Sequence, residues 1–276
     1  MLPNLIVIGA ERSGTTSLHR YLDSHPQVFM SRQKELDFFV AERNWHRGRG
    51  WYERQFPTDA PIRGESSGAY TAHPQFDGVP ARMAALIPGA KLIYLVRDPV
   101  ERTISALHLA RALGDERRSP AEALRRLEES PYVARSRYAA QLESYLDHVP
   151  RETILVVDSD RLRSARRDTI RQIFRHLGIT EDAWNPAMED EVNAAKQRRR
   201  NRAGWMLFRL GLRTIGDART RAVMRRAPAW TAAPVTSPLA PTVLSPDLRQ
   251  SLESVLAEDA ARFRVLTGMA FESWCV

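Results

Sequence analysis

Two short segments carry the residue types and spacing that could do chemistry. The first is Gly9-Ala-Glu-Arg-Ser-Gly14-Thr15-Thr16, which follows an apolar run at residues 4–8 and opens a stretch with helical spacing. In that context backbone N–H groups and the helix dipole gather an anion. The nucleotide-triphosphatase form of such a loop reads G-x4-G-K-[ST]. Here Thr15 takes the lysine position and the positive charge comes earlier, at Arg12. A glycine turn with a hydroxyl N-cap is the alternative reading. The second segment runs from Arg97-Asp98-Pro99 to Ser105. Arg97 ends another apolar run, and open α/β sheets bind ligands at the C-terminal ends of their strands. Ser105 lies two helical turns later, so a guanidinium and a hydroxyl can converge on one phosphate. Taken alone, R-D-P is also a plain strand-to-helix stop. Two anion sites at strand ends fit a nucleotide with phosphates at both its 5′ and 3′ positions.

The elements that must position these segments alternate between strand and helix. Residues 4–8, 91–96 (KLIYLV) and 153–157 (TILVV) read as buried strands. Helices are expected over about 15–24, from Pro99 onward with Ile104 and Leu107 on one face, and over about 167–177, where Ile170, Ile173, Phe174 and Leu177 recur at helical spacing before Gly178. Apolar runs without alternation, separated by helices, predict a parallel sheet covered on both faces. Residues 119–146 read as charged helix with no strand. Beyond the core, at about 4–180, come an arginine-rich helical segment at 193–227, a proline-punctuated linker at 228–246 and a final helix at 247–267 with Leu248, Leu252, Val255 and Leu256 on one side. The fold class is therefore α/β: a P-loop-like central parallel sheet flanked by helices, one domain over 1–276 with a helical C-terminal extension.

Composition sets the outer limits. With 276 residues, 43% hydrophobic and 27% charged, the chain has ordinary globular composition, which excludes wholesale disorder. A single cysteine, Cys275, excludes an internal disulfide framework and a cysteine-based metal cluster. The net charge of +8 comes almost wholly from arginine, since only Lys34, Lys91 and Lys196 are lysines. Arginine's planar fork suits phosphate and sulfate, but GC-rich coding gives the same bias. The N-terminus shows no basic n-region, apolar h-region or cleavage site, and no apolar window is long enough to span a bilayer. The expectation is a protein of a reducing, cytoplasmic compartment.

The segments GAERSGTTSL, KLIYLVRDPVERTISAL, SRYAAQLESYL, ILVVDSDRL and IRQIFRHLGI, in that order, resemble the PAPS-dependent sulfotransferase family. PAPS is 3′-phosphoadenosine-5′-phosphosulfate, and its product is PAP. LAEDAARFRVLTGMAFESW is similar to that family's C-terminal helix. The resemblance implies that Arg12, Ser13, Gly14, Thr15, Thr16 and Ser17 cradle the 5′ phosphosulfate, and that Arg97 and Ser105 hold the 3′ phosphate. Arg12 stands where many members carry lysine, and as a catalytic residue would neutralise the departing phosphate electrostatically.

Lys34-Glu35-Leu36-Asp37-Phe38-Phe39 resembles the K-E-x-x-F-F stretch of the glycan-type branch. By that resemblance Glu35 is the base that activates the acceptor, and Lys34 stabilises charge on the bridging oxygen. A carboxylate beside two phenylalanines can be partly desolvated and so made a better proton acceptor. The alternative is a surface Lys34–Glu35 pair with Phe38 and Phe39 in the core. His25 and His73 are rival bases, although His25 also suits a C-terminal cap on the first helix. Glu65-Ser66-Ser67-Gly68-Ala69-Tyr70 resembles the family's acceptor-side E-x-S-P-x-Y segment, with Gly68 for proline and Ser66 for a frequent lysine. Trp45 and Trp51 are candidates for acceptor contact or core packing. Arg198, Arg199 and Arg200, with Arg202, read as a solvated charge run, a lid over the donor's 3′ phosphate, or a nucleic-acid contact; without interleaved aromatics the last is disfavoured.

The expected activity is sulfuryl transfer from PAPS to a hydroxyl of a sugar-like or secondary-metabolite acceptor, with no metal and no nucleic acid. A degenerate P-loop kinase or NTPase and a non-catalytic polyanion-binding module are the rivals.

Overall fold

The computed structural model describes residues 1–189 and 241–276. Its strands are β1 (Leu5–Gly9), β2 (Val28–Met30), β3 (Ile62–Ser66), β4 (Lys91–Val96) and β5 (Ile154–Asp158). They form one parallel sheet in the order β2-β3-β1-β4-β5. The described helices are α1 (Thr15–Asp23), α2 (Gly48–Glu53), α3 (Val79–Leu86), α4 (Pro99–Leu113), α5 (Pro120–Ala123), α6 (Pro131–Ala134), α7 (Tyr138–Leu146), α8 (Ser159–Ser164), α9 (Arg166–Leu177) and α10 (Pro246–Thr267).

Both faces of the sheet are covered, as the unbroken apolar strands require. Ile6, Ile8, Leu92, Tyr94, Val96 and Val156 belong to one core, which Met83 of α3, Leu142 of α7 and Phe263 of α10 complete. Their neighbours Leu5, Val7, Ile93, Leu95 and Val157 face a second core, closed by Leu18 and Leu22 of α1 and by Ile170, Ile173, Phe174 and Leu177 of α9. Gly178, at φ +73°, ends α9 in the left-handed conformation that glycine adopts without strain. α10 also closes a third, smaller core, where Leu252 and Leu256 pack against Val100 and Leu107 of α4.

The expected strands at 4–8 and 153–157 begin and end one residue later than read, and the one at 91–96 is observed as such. Two strands had no counterpart in the sequence reading. β2 is only three residues long, and β3 (IRGES) is polar yet carries Glu65 and Ser66 fully buried. The charged stretch at 119–146 divides into α5, α6 and α7, with Pro120 and Pro131 each opening a new first turn. The basic segment at 193–227 and the linker up to residue 240 lie outside the described residues. Among the described residues no helix is long and apolar enough to cross a membrane.

The sheet order reverses direction at β1: β3 lies on one side and β4 on the other. The crevice at the C-terminal ends of β1 and β4 is the place where such sheets take ligands.

Candidate functional site

The loop after β1 and the turn after β4 meet in that crevice. Ala10 N donates to Leu95 O at 2.6 Å, and Arg97 Nη1 reaches Arg12 O at 3.4 Å. Gly14 caps α1 at φ +97°, with no side-chain cap and no acidic residue in the first turn. The helix N-terminus is thus left to whatever anion lies before it. Arg12 itself sits at φ +75°, an uncommon region for a residue with a Cβ. Its Nε donates to Ser105 Oγ at 3.0 Å, across 93 residues of sequence. The structure therefore draws Arg12 towards Ser105 and Arg97, and joins the two anion segments through it. Asp98 caps α4 by accepting from Glu101 N at 2.8 Å, and its other oxygen accepts from Cys275 N at 2.7 Å, so Arg97 leaves β4 from a fixed corner.

Lys34 and Glu35 lie on the other side of the phosphate loop. Lys34 Nζ donates to Thr15 Oγ1 at 3.0 Å and to Glu35 Oε1 at 2.5 Å. Glu35 Oε2 accepts from Gly68 N at 2.8 Å, while the backbone N–H of Glu35 donates to Ser66 O at 2.9 Å. Glu35 and Asp37 have φ of +60° and +49°, so the loop departs from ordinary backbone twice within three residues. The desolvation expected from the two phenylalanines is not found. Phe38 and Phe39 turn into the core, where Phe38 stacks on Tyr52 at 4.0 Å and packs near Trp45 at 5.2 Å, and the Glu35 side chain keeps 41% of its exposure.

Beneath this loop lies a cluster that the sequence reading assigned to the acceptor side. Glu65, Ser66 and Ser67 are fully buried and Tyr70 nearly so, so the segment is interior to the protein. Glu65 Oε1 accepts from Tyr52 Oη at 2.5 Å and from Tyr70 Oη at 2.7 Å, and Oε2 accepts from Ser67 Oγ at 2.7 Å. Burial pushes the Glu65 carboxyl up to about 7, against the pull of its three hydroxyl donors. The E-x-S-x-x-Y spacing marked three of the four members; only Tyr52, from α2, had no signal.

His19 was also missed. Its Nε2 donates to Ser31 O at 3.2 Å, and Nδ1 accepts from Ser66 Oγ at 2.9 Å. Burial, with the nearby Lys34 charge, pushes the imidazole down to about 4, so it is a neutral structural link between α1 and the strand ends. His25 is a core residue and not a helix cap: Nε2 donates to Thr180 O at 3.0 Å and Nδ1 accepts from Gln27 N at 3.1 Å. Both nitrogens are used, which removes it as a base. His73 is exposed beside Asp77, at the rim of a cavity of about 440 Å³ that Phe76, Glu143 and His148 also line. Trp45 and Trp51 are half-buried against the first core, the latter under the Arg47 guanidinium at 4.8 Å. Arg198, Arg199 and Arg200 lie outside the described residues.

The donor set fits a polyanionic nucleotide. It comprises an uncapped helix N-terminus, the Thr15 hydroxyl, Lys34, Arg12 and Arg97. Buried Ser13 Oγ makes no hydrogen bond, although the Tyr138 hydroxyl is close enough to feel it. Among the described residues no cluster of side chains could hold a metal ion.

Sheet and crevice together define an α/β protein of the phosphate-loop type, with the Lys34–Glu35 ion pair at the loop's edge. Residues 2–203 match the sulfotransferase domain family, and the chain belongs to that family. Human bifunctional heparan sulfate N-deacetylase/N-sulfotransferase 2 is 30% identical over 202 residues, which is 65% of this chain and 22% of that protein. Bifunctional heparan sulfate N-deacetylase/N-sulfotransferase 1 of Caenorhabditis elegans is 26% identical over 195 residues. The match thus spans about a fifth of the length of these relatives. A sulfotransferase from Alicyclobacillus acidocaldarius covers 99% of both chains, at a TM-score of 0.72 and 25% identity. Mouse sulfotransferase SULT7A1 complexed with PAP shares the fold, with a TM-score of 0.53 over 97% of this chain and 89% of that one at 13% identity.

Proposed function

We propose that the chain transfers a sulfuryl group from PAPS to a hydroxyl or amine of a sugar-like acceptor, with Glu35 as general base. The observation that carries this reading is Lys34, whose Nζ reaches both Thr15 on the phosphate loop and the Glu35 carboxylate. One cation thus links the anion cradle to the base. The relatives named for N-sulfation of heparan sulfate support a sugar-like acceptor and add nitrogen to the expected hydroxyl. The mouse structure complexed with PAP supports the donor.

Bound PAPS supplies an activated sulfuryl group on a phosphate leaving group. Ser13 to Ser17 and the N-terminus of α1 hold its 5′ end, and Arg97 with Ser105 holds the 3′ phosphate. Arg12, bonded to Ser105, adds charge between the two. Glu35 takes the acceptor's proton, and Gly68 N fixes the carboxylate's second oxygen meanwhile. Lys34 and the loop N–H groups stabilise the negative charge that grows at the loop. Positioning and electrostatics supply most of the acceleration, as they do in phosphoryl transfer.

A transfer assay with PAPS and a panel of amino and hydroxyl sugars tests this reading. Sulfated product formed without magnesium is expected. ATP hydrolysis with magnesium and no sulfuryl transfer would instead assign the chain to the phosphate-loop NTPases.

A further inference from the structure

We infer that Glu65 is a positioning residue for Glu35, acting through the hydroxyls of Ser67 and Tyr70; this rests on Glu35 being the base. The hydroxyls form a directed relay. Ser67 Oγ donates to Glu65 Oε2 at 2.7 Å and accepts from Asp37 N at 3.0 Å. Tyr70 Oη donates to Glu65 Oε1 at 2.7 Å and accepts from Phe38 N at 2.9 Å and Phe39 N at 3.4 Å.

A hydroxyl has one proton. Because the carboxylate takes it, each hydroxyl turns only lone pairs towards the loop, and three consecutive N–H groups find acceptors there. The loop needs such fixing. Glu35 and Asp37 both sit at positive φ, and backbone of that kind persists only where surrounding bonds over-determine it.

A structural explanation of Glu65 is weaker. A buried carboxylate is costly unless well bonded, and apolar residues would fill the same space. Among the described residues no lysine, arginine or histidine forms an ion pair with Glu65; its hydrogen-bond partners are three hydroxyls. The carboxylate adds direction, which an apolar residue cannot. The three hydroxyl donors lower the proton affinity that burial raises, which favours the ionised form the relay needs.

Tyr52 supplies the control. Its hydroxyl donates to the same oxygen, Glu65 Oε1, at 2.5 Å, and its ring stacks on Phe38, yet it accepts none of the three loop N–H groups. Tyr52→Phe and Tyr70→Phe each remove one buried hydroxyl donor and keep the ring, but only the second removes a loop anchor.

The experiment compares wild type, Tyr52→Phe, Tyr70→Phe and Ser67→Ala by hydrogen exchange of the ligand-free protein, by PAP affinity and by kcat. Tyr70→Phe and Ser67→Ala should speed amide exchange at residues 37–39 and lower kcat by about 10- to 100-fold, the range expected of a misplaced catalytic group, with PAP affinity kept. Tyr52→Phe should stay near wild type in all three. Equal effects of Tyr52→Phe and Tyr70→Phe, or wild-type exchange and kcat in Tyr70→Phe, would overturn the inference. Exchange requires no turnover. A wild-type protein that transfers no sulfuryl group therefore contradicts the proposed function, while the exchange contrast still decides the relay.

Discussion

The two halves of the crevice are built by different means. The donor half uses backbone: a loop after β1, a helix N-terminus without a side-chain cap, and a fixed corner after β4. Its side chains, Arg12, Arg97 and Ser105, are added to a frame that glycine spacing and strand ends already define. The half that carries Glu35 has no such frame. Its loop takes two positive-φ residues and is held by Gly68 N, Ser66 O and the hydroxyls above Glu65. The proposed anion cradle is framed by strand ends and a helix N-terminus, with Arg12–Ser105 joining its two segments. The loop that carries Glu35 is instead held by side-chain bonds from residues about thirty positions away.

If the halves divide the work in this way, substitutions should separate binding from chemistry. The largest effect is expected for Glu35→Gln. Steady-state assays should show kcat down by about 10²- to 10⁴-fold, the usual worth of a general base, with PAP affinity nearly unchanged. A wild-type rate would remove Glu35 as the base.

Glu65→Gln probes the same half through stability. The folded protein raises this carboxyl above its ordinary value of 4.5, to about 7, so the folded state holds the proton more tightly than the unfolded chain does. That contribution is present at low pH and is lost as pH rises through 7. In denaturant unfolding, the advantage of wild type over Glu65→Gln should shrink from pH 4.5 to pH 8, by roughly 3 kcal/mol at full linkage. A difference that stays flat with pH would show that Glu65 does not titrate in that window.

Arg97→Ala strikes the donor half. Loss of a charge-assisted bond to a phosphate, about 1.5–3 kcal/mol, predicts PAP binding weaker by about 10- to 100-fold, read by calorimetry. kcat at saturating donor should fall much less. Arg12→Ala is expected to be the mildest, at about tenfold in PAP affinity, because Arg12 shares its place with Arg97 and Ser105. If Arg12→Ala instead lowers kcat more than PAP affinity, Arg12 serves the 5′ end and the chemistry.

How much of this the sequence revealed follows the same division. The strands β1, β4 and β5 are continuous apolar runs and were readable, as were the loop glycines, whereas the Arg12–Ser105 bond that joins the two anion segments was not. β2 and β3 were not, because one is three residues long and the other buries glutamate and serine where periodicity expects aliphatic side chains. Lys34 and Glu35 came from motif resemblance alone. Of the two readings of Phe38 and Phe39, desolvating Glu35 or packing in the core, the structure shows the second: they form the aromatic core beneath the loop. The E-x-S-x-x-Y spacing was visible, but its direction was not: a motif shows which residues act together without showing whether they face a ligand or the interior. His19 and Tyr52 gave no signal because their roles depend on partners 47 and 13 residues away.

The most direct test of the division is a calorimetric titration of PAP, without magnesium, into wild type, Glu35→Gln and Arg97→Ala side by side. Equal affinity in the first two and a loss of tenfold or more in the third is the expected result. Weak binding by Glu35→Gln, or ATP with magnesium binding wild type more tightly than PAP, would contradict the account.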